Sequence, residues 1–382
     1  MKRVLLIQPS LQPPGGSNGV AAWVLQALVP EHRVTVLSWQ PVDVDPINRF
    51  YGTRLVRSEF DTIGVPRSYR AALDHLPVPA VLIKLSMLMR YTRQVSGAFE
   101  VLFGVYNETD FGRRGIQYVH YPTYLRPRPA IDLRWYHPQA GLDMYYALAD
   151  RIAGFSLERM KQNVTLVNSD WTGGHLQRFL GIGTRTVYPP VVDPAPGLPW
   201  SERRNAFLAI GRIAPEKEYE RVMTILARVR EHISDLTLTI VGTWDRHNRR
   251  YFRSLTAMAE SLGSWIQFRD NLSRDEVRAL MASHRYAIHG MREEHFGMAP
   301  AELARAGVIV WVPRGGGQTE IVASEPALTY DSVDDAVAKI TATLRSPEEQ
   351  RRLHDFVTTT SERFSTAQFV KQVRDVVSEF RE

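Results

Sequence analysis

The sequence predicts an α/β protein made of two doubly wound domains, and three observations carry that reading. The chain has 382 residues, too many for one ordinary domain and enough for two that each bury a core. Its start has a βαβ rhythm: an apolar strand over 2–8, a glycine-containing loop over 13–19, an apolar helix over 20–28 and a second strand from Arg33 to Ser38. Strand, helix and strand in so short a span imply a parallel sheet. The rhythm then restarts beyond a stiff linker, Pro189-Pro190-Val191-Val192-Asp193-Pro194 with Pro196-Gly197.

Met1 to Pro9 has the basic start of a secretory signal, but its apolar run is short and ends in a Gly/Pro loop, so it reads as the first strand. Further strands of the first domain are expected at 101–103, 115–120 and 164–168. The boundary is placed near residue 195, which makes 1–194 the first domain and 195–364 the second. The second alternation opens with Ala206 to Ile210 and continues with strands at 237–241, 265–268, 286–289 and 308–312. From Phe364 to Phe380, the apolar residues Phe369, Val373, Val376, Val377 and Phe380 fall on one helical face. The spacing does not say which domain that face covers.

Hydrophobic content of 44% with 23% charged residues marks a globular chain. Without cysteine there is neither a disulfide framework nor a thiolate metal site, which fits a reducing compartment. The net charge of +6 lies wholly in residues 1–195, which hold 21 Lys and Arg against 15 Asp and Glu, whereas 26 of each follow. A basic surface of this kind suits an anionic lipid, a nucleic acid or a phosphorylated acceptor as well as mere solubility. Val78 to Arg90 is apolar with Arg67, Arg70 and Arg93 around it. Lys84 and the short span argue against crossing a bilayer. A helix lying on a membrane surface or lining a lipid groove, and a buried core helix, both remain open. Tyr124-Leu125-Arg126-Pro127-Arg128 and Arg134 to His137 form a second basic and aromatic run suited to acceptor sugar or phosphate.

The chemistry gathers in the second half. Glu294 and Glu302 stand with seven residues between them, around Gly297-Met298-Ala299-Pro300 and after the apolar run Tyr286 to Gly290. Proline suits the first helical position, so a helix is expected to begin at Pro300 with Glu302 in its first turn. Free amides at a helix start favour phosphate, and ionised carboxylates accept hydrogen bonds from sugar hydroxyls. A helix start with acidic residues in its first turn is the plainer account. Upstream, Gly211-Arg212 and Lys217 follow a strand, where a guanidinium fork and a mobile ammonium could neutralise a departing diphosphate; two exposed basic residues near a helix would look the same. In the first half, Pro13 to Gly19 puts Gly15 and Gly16 between a strand and a helix, and His120 ends another expected strand. Gly315-Gly316-Gly317 precedes Glu320, where glycines admit close backbone packing or simply a turn.

Together these segments resemble the E-x7-E retaining glycosyltransferases of family 4, which have the GT-B fold of two Rossmann-like domains around a cleft. The finer likeness, through Gln117 to Pro122, Val167 to Thr172, Val187 to Pro190, Pro215 to Lys217 and Glu294 to Gly297, is to the α-1,2-mannosyltransferases that extend dolichol-linked oligosaccharide from GDP-mannose. The chain departs from them at Ser17-Asn18-Gly19, where they have a longer glycine run. Read as beginning with its first strand, it is also expected to do without their long N-terminal membrane anchor. The resemblance implies that Glu294 contacts the transferred sugar, Glu302 the ribose, and Arg212, Lys217 and the amides of Gly297, Met298 and Ala299 the diphosphate, with Phe296 among the donor contacts. Arg269, at a strand end, could lie along the base or be an ordinary solvent-exposed arginine, while His120, Gly15 and Gly16 complete the site and the last helix, 365–382, returns to the first domain. It implies a nucleotide-sugar co-substrate, GDP-mannose, no metal cofactor, a glycan or polyprenyl-linked acceptor, and a cytoplasmic protein at or near the inner membrane face.

Asp43-Val44-Asp45 has the D-x-D shape of metal-dependent transferases but sits far from the nucleotide-like half and reads as coincidence. Zinc-ligand spacing, a P-loop and a nucleophile elbow are absent from the sequence, and nucleic acid is not an expected partner. A UDP-sugar donor, or an epimerase or hydrolase acting on donor alone, are the alternatives on the same fold.

Overall fold

The computed structural model describes residues 1–66, 81–122, 139–194 and 197–381. The run from Tyr124 to His137, Arg67, Arg70, residues 78–80 and the expected boundary at 195 lie outside the described residues. Two compact units result: Met1–Pro190 with Ala367–Glu382, and Val191–Thr366.

The first unit contains β1 (Arg3–Ile7), β2 (Arg33–Ser38), β3 (Asp61–Gly64), β4 (Val101–Gly104), β5 (Ile116–Val119), β6 (Val164–Val167) and β7 (Arg185–Thr186). They form one parallel sheet in the order β3-β2-β1-β4-β5-β6-β7. Successive strand residues point to opposite faces. On β1, Val4 and Leu6 join one core with the helix Gly16–Leu28, and Leu5 and Ile7 join another with Leu88. Both faces are covered, which is why the strand is an unbroken apolar run.

Leu82, Ser86, Leu88, Met89 and Thr92 of the helix Val81–Val95 are buried, and the Lys84 ammonium stands 5.8 Å from the Trp39 ring centroid. The structure therefore decides between the two readings of this segment: its described part is a core helix, not an apolar face laid on a membrane. Among the described residues no helix is long and apolar enough to cross one. The helix Thr366–Glu379 closes the same unit, placing Phe369, Val373, Val376 and Val377 in the core that holds Val4 and Leu6. Lys2 Nζ donates to the carbonyls of Val377 at 2.7 Å and Phe380 at 3.1 Å, and Arg374 Nε to that of Ala27 at 2.8 Å.

Two local expectations change. The first helix begins at Gly16, so Gly16 to Gly19 form its opening turn rather than a loop, preceded by Gly15 at φ 151°. Asp43 caps the helix Val44–Tyr51, its carboxylate accepting from the Asp45 amide at 3.3 Å, which gives the D-x-D shape a local structural task.

The second unit contains β8 (Arg204–Ile210), β9 (Thr237–Gly242), β10 (Ile266–Asp270), β11 (His284–Ile288), β12 (Ile309–Pro313) and β13 (Thr329–Tyr330). This sheet too is parallel, in the order β10-β9-β8-β11-β12-β13. Its core is aromatic: the Phe207 and Tyr286 rings lie 5.2 Å apart and those of Tyr286 and Trp311 6.1 Å apart. In each sheet the strand order reverses beside the unit's first strand, between β1 and β4 and between β8 and β11. Open parallel sheets bind ligands outside the carboxyl ends of their strands at such a reversal.

Candidate functional site

Two loops flank the reversal in the second unit: residues 211–218 after β8 and 289–297 after β11. Their approach is close. A Cβ on Gly290 would lie 2.5 Å from the Lys217 carbonyl oxygen and 2.8 Å from that of Glu218, so glycine alone fits there. This approach joins Lys217 Nζ to Glu294 in an ion pair, with both side chains mostly buried. Lys217 Nζ is also 3.4 Å from Met291 Sδ.

His289 completes the cluster. Its Nε2, buried and otherwise without a hydrogen-bond partner among the described residues, stands 3.5 Å from Glu294 Oε2. Burial holds this imidazole below its ordinary range, against the pull of the Glu294 carboxylate. It is therefore neutral at pH 7 and has one N–H to offer. For Glu294, burial works against ionisation, but His289 and the Lys217 charge outweigh it and keep the carboxyl well below the usual carboxylate range. Sequence reasoning took His289 for the end of a strand, and nothing in its spacing announced that a turn would bring it back to Glu294.

The helix after this loop starts at Met298 and runs to Arg305. Gly297, at φ 105°, turns the chain into the helix two residues earlier than expected. Pro300 is consequently the third helical residue and Glu302 lies in the second turn, which corrects both placements made from sequence. No side chain caps this end. The amides of Met298 and Ala299 have no acceptor within the helix, and Pro300 has no N–H to leave unpaired. Glu302 faces the helix Arg274–Ser283 and pairs with Arg274, whose second nitrogen is 3.3 Å from Oε2.

The other predicted residues are scattered around this cluster. Arg212 is exposed and paired with Glu216 at 2.5 Å, so of the two expected cations only Lys217 meets Glu294. Arg269 is exposed on β10, an edge strand separated from β8 by β9. The Phe296 ring is buried and packs edge-on against Phe364 at 5.6 Å, which leaves its main chain as the part that a ligand could reach. Gly15, Gly16 and His120 belong to the first unit. The His120 ring uses Nε2 toward the Val105 carbonyl at 2.9 Å; a carbonyl can only accept, so Nε2 carries the proton. Its amide donates to Asn107 Oδ1 at 2.9 Å, and its carbonyl accepts from Asn168 Nδ2 at 2.9 Å. Among the described residues no group of three or more His, Asp or Glu side chains is placed to hold a metal ion.

Residues 196–358 match the family model described as "Glycosyl transferases group 1". The "GDP-Man:Man(3)GlcNAc(2)-PP-Dol alpha-1,2-mannosyltransferase" of Dictyostelium discoideum is 26% identical over 261 residues, covering 62% of this chain and 51% of the relative. The enzyme of the same name from Homo sapiens is 27% identical over 189 residues, 46% of this chain and 38% of the relative. The chain thus spans about half the length of the curated relatives it matches, or less. Among solved structures, Anabaena Alr3699/HepE in complex with UDP and glucose superposes with a TM-score of 0.68 over all of both chains, at 14% identity. That likeness is one of fold. This chain is accordingly a protein of the GT-B fold, and its residues 196–358 are a glycosyl transferases group 1 domain.

Proposed function

We propose that the protein transfers a hexose, mannose from GDP-mannose, to a hydroxyl of a glycan or lipid-linked acceptor, with retention at the anomeric carbon. One observation carries the reading: a buried lysine and glutamate meet beside an uncapped helix start, at the sheet reversal of a group 1 domain. The names of the mannosyltransferase relatives motivate the choice of donor and acceptor.

In this scheme Lys217 exchanges its carboxylate for the donor diphosphate, which the Met298 and Ala299 amides also hold. Ion pairing and helix-start amides together offset the charge that builds up as the diphosphate leaves. Glu294, freed of Lys217 but still facing His289, accepts from hydroxyls of the hexose. Glu302 serves the ribose, Arg269 the base, and Arg212 the outer phosphate. Gly15 and Gly16 of the first unit serve the donor, and His120 serves the transferred sugar. No side chain is assigned as a nucleophile: attack on the same face as the leaving phosphate needs none.

A panel of GDP- and UDP-hexoses, scored for nucleoside diphosphate release with and without lipid-linked acceptor, tests this directly. GDP-mannose with acceptor should give the fastest release. Equal release without acceptor would make the protein a donor hydrolase or epimerase, and preference for a UDP-hexose would replace the donor. Arg212→Ala combined with Lys217→Ala should lower turnover by more than about a hundredfold; a loss under tenfold would remove the charge-stabilisation role.

A further inference from the structure

We infer that Gln318 is a positioning residue that fixes Glu294 for hexose transfer, an inference that rests on the donor-site reading of Glu294. Gln318 is fully buried, at 0% exposure, although its side chain is polar. Its amide spends every strong bond on the loop that carries Glu294 and on the end of β12. The two N–H groups of Nε2 are shared among the carbonyls of Arg292 at 2.9 Å, Pro313 at 3.1 Å and Met291 at 3.2 Å, while Oε1 accepts from the Glu294 amide at 3.0 Å. The neighbouring Gly317 amide donates to the Glu294 carbonyl at 2.7 Å. Both main-chain polar groups of Glu294 are thus taken by residues 317 and 318.

The approach is so close that a Cβ on Gly316 would lie 2.5 Å from the Glu294 carbonyl oxygen and 2.6 Å from its nitrogen. A glutamate side chain is flexible, and Lys217 and His289 grip only its tip. The root needs separate anchoring if the carboxylate is to keep its aim once Lys217 turns to a ligand. Gln318 supplies that anchor without touching Lys217 or His289 in any recorded bond. A core amide required only for stability has no reason to bond to Glu294 in particular.

The test has two arms. Hydrogen exchange over residues 291–297 should be slow in the wild type and faster in Gln318→Met, with the rest of the second unit unchanged. In turnover, Gln318→Met should lower kcat about a hundredfold, the scale of a slight misplacement of a reacting group. Its KM for donor should stay within about threefold and nucleoside diphosphate affinity within about twofold, since Lys217 and the helix amides remain. In a Glu294→Ala background the same substitution should change residual activity by less than about twofold, because the two act through one group. Unchanged exchange, or an equal loss in both backgrounds, would overturn the inference. A wild type that turns over no hexose donor would overturn the proposed function instead, and the exchange arm would still decide the anchoring. Should Gln318→Met fail to fold, Gln318→Glu keeps the size and the acceptor for the Glu294 amide while losing the donations from Nε2, and should exchange faster at 291–293 than at 294; uniform protection there would count against the anchor.

Discussion

At the scale of single residues, the unexpected feature is that the expected phosphate cation and the expected sugar ligand neutralise each other. Lys217 cannot serve a diphosphate while Glu294 holds it. Glu294→Gln should therefore tighten binding of nucleoside diphosphate alone, by about tenfold, while hexose transfer falls by about two orders of magnitude. Calorimetry on the variant checks the first part; unchanged or weaker binding would mean that Lys217 does not receive the diphosphate. His289 makes a separate prediction. Its folded pKa is depressed by burial, so as pH falls below about 6.5 the unfolded chain takes up the proton first and stability declines. His289→Gln should flatten the fall in Tm between about pH 7 and pH 5, and a slope equal to wild type would contradict the neutral buried imidazole. Glu294 acts lower: its depressed carboxyl stabilises the fold fully only above about pH 5, and that share is lost progressively as the pH drops further.

At the scale of elements, the long strands and helices were legible because both faces of the sheets are covered, which writes apolar runs such as Val4 to Ile7 and Ile309 to Val312. β3, β7 and β13 went unseen. They lie at sheet edges with two to four residues each, too few to show a period. The start of the helix at Met298 was misjudged since proline at the first position and proline at the third look alike in sequence, and Gly297 decided the matter by its backbone angle. Glycine positions also give the sharpest element-level prediction. Gly290→Ala would force β11's outgoing loop away from Lys217 and Glu218. A loss of about 1–3 kcal/mol in urea unfolding is expected, and wild-type stability would show that the two loops can separate freely.

At the scale of the whole molecule, the sequence named the neighbourhood of the site but not its internal pairing. Glu294, Lys217 and Gly297 could be picked out from motif order; Gln318 and Arg274 could not, because each meets its partner across a distance in sequence that only the folded unit closes, and His289 could not, because only the turn of its own loop brings it back to Glu294. The placement of the terminal helix followed from the family resemblance alone, since an apolar face does not name its partner. Val373 shows the dependence best: it lies wholly buried among residues of β1, β2 and the first helix. Val373→Asp should cost about 3 kcal/mol or more and make residues 1–66 protease-sensitive before residues 204–313; cleavage in the opposite order would contradict this account.

That helix also fixes a schedule. On the ribosome, the amino-terminal unit is the first to emerge and yet stays unfinished, its core open along one side, until everything between Val191 and Ser365 has been made. Nascent chains stalled before residue 366 should expose Val4, Leu6 and Leu25 to chaperones, and a nonsense mutation near the 3′ end of the reading frame would injure the opposite end of the protein.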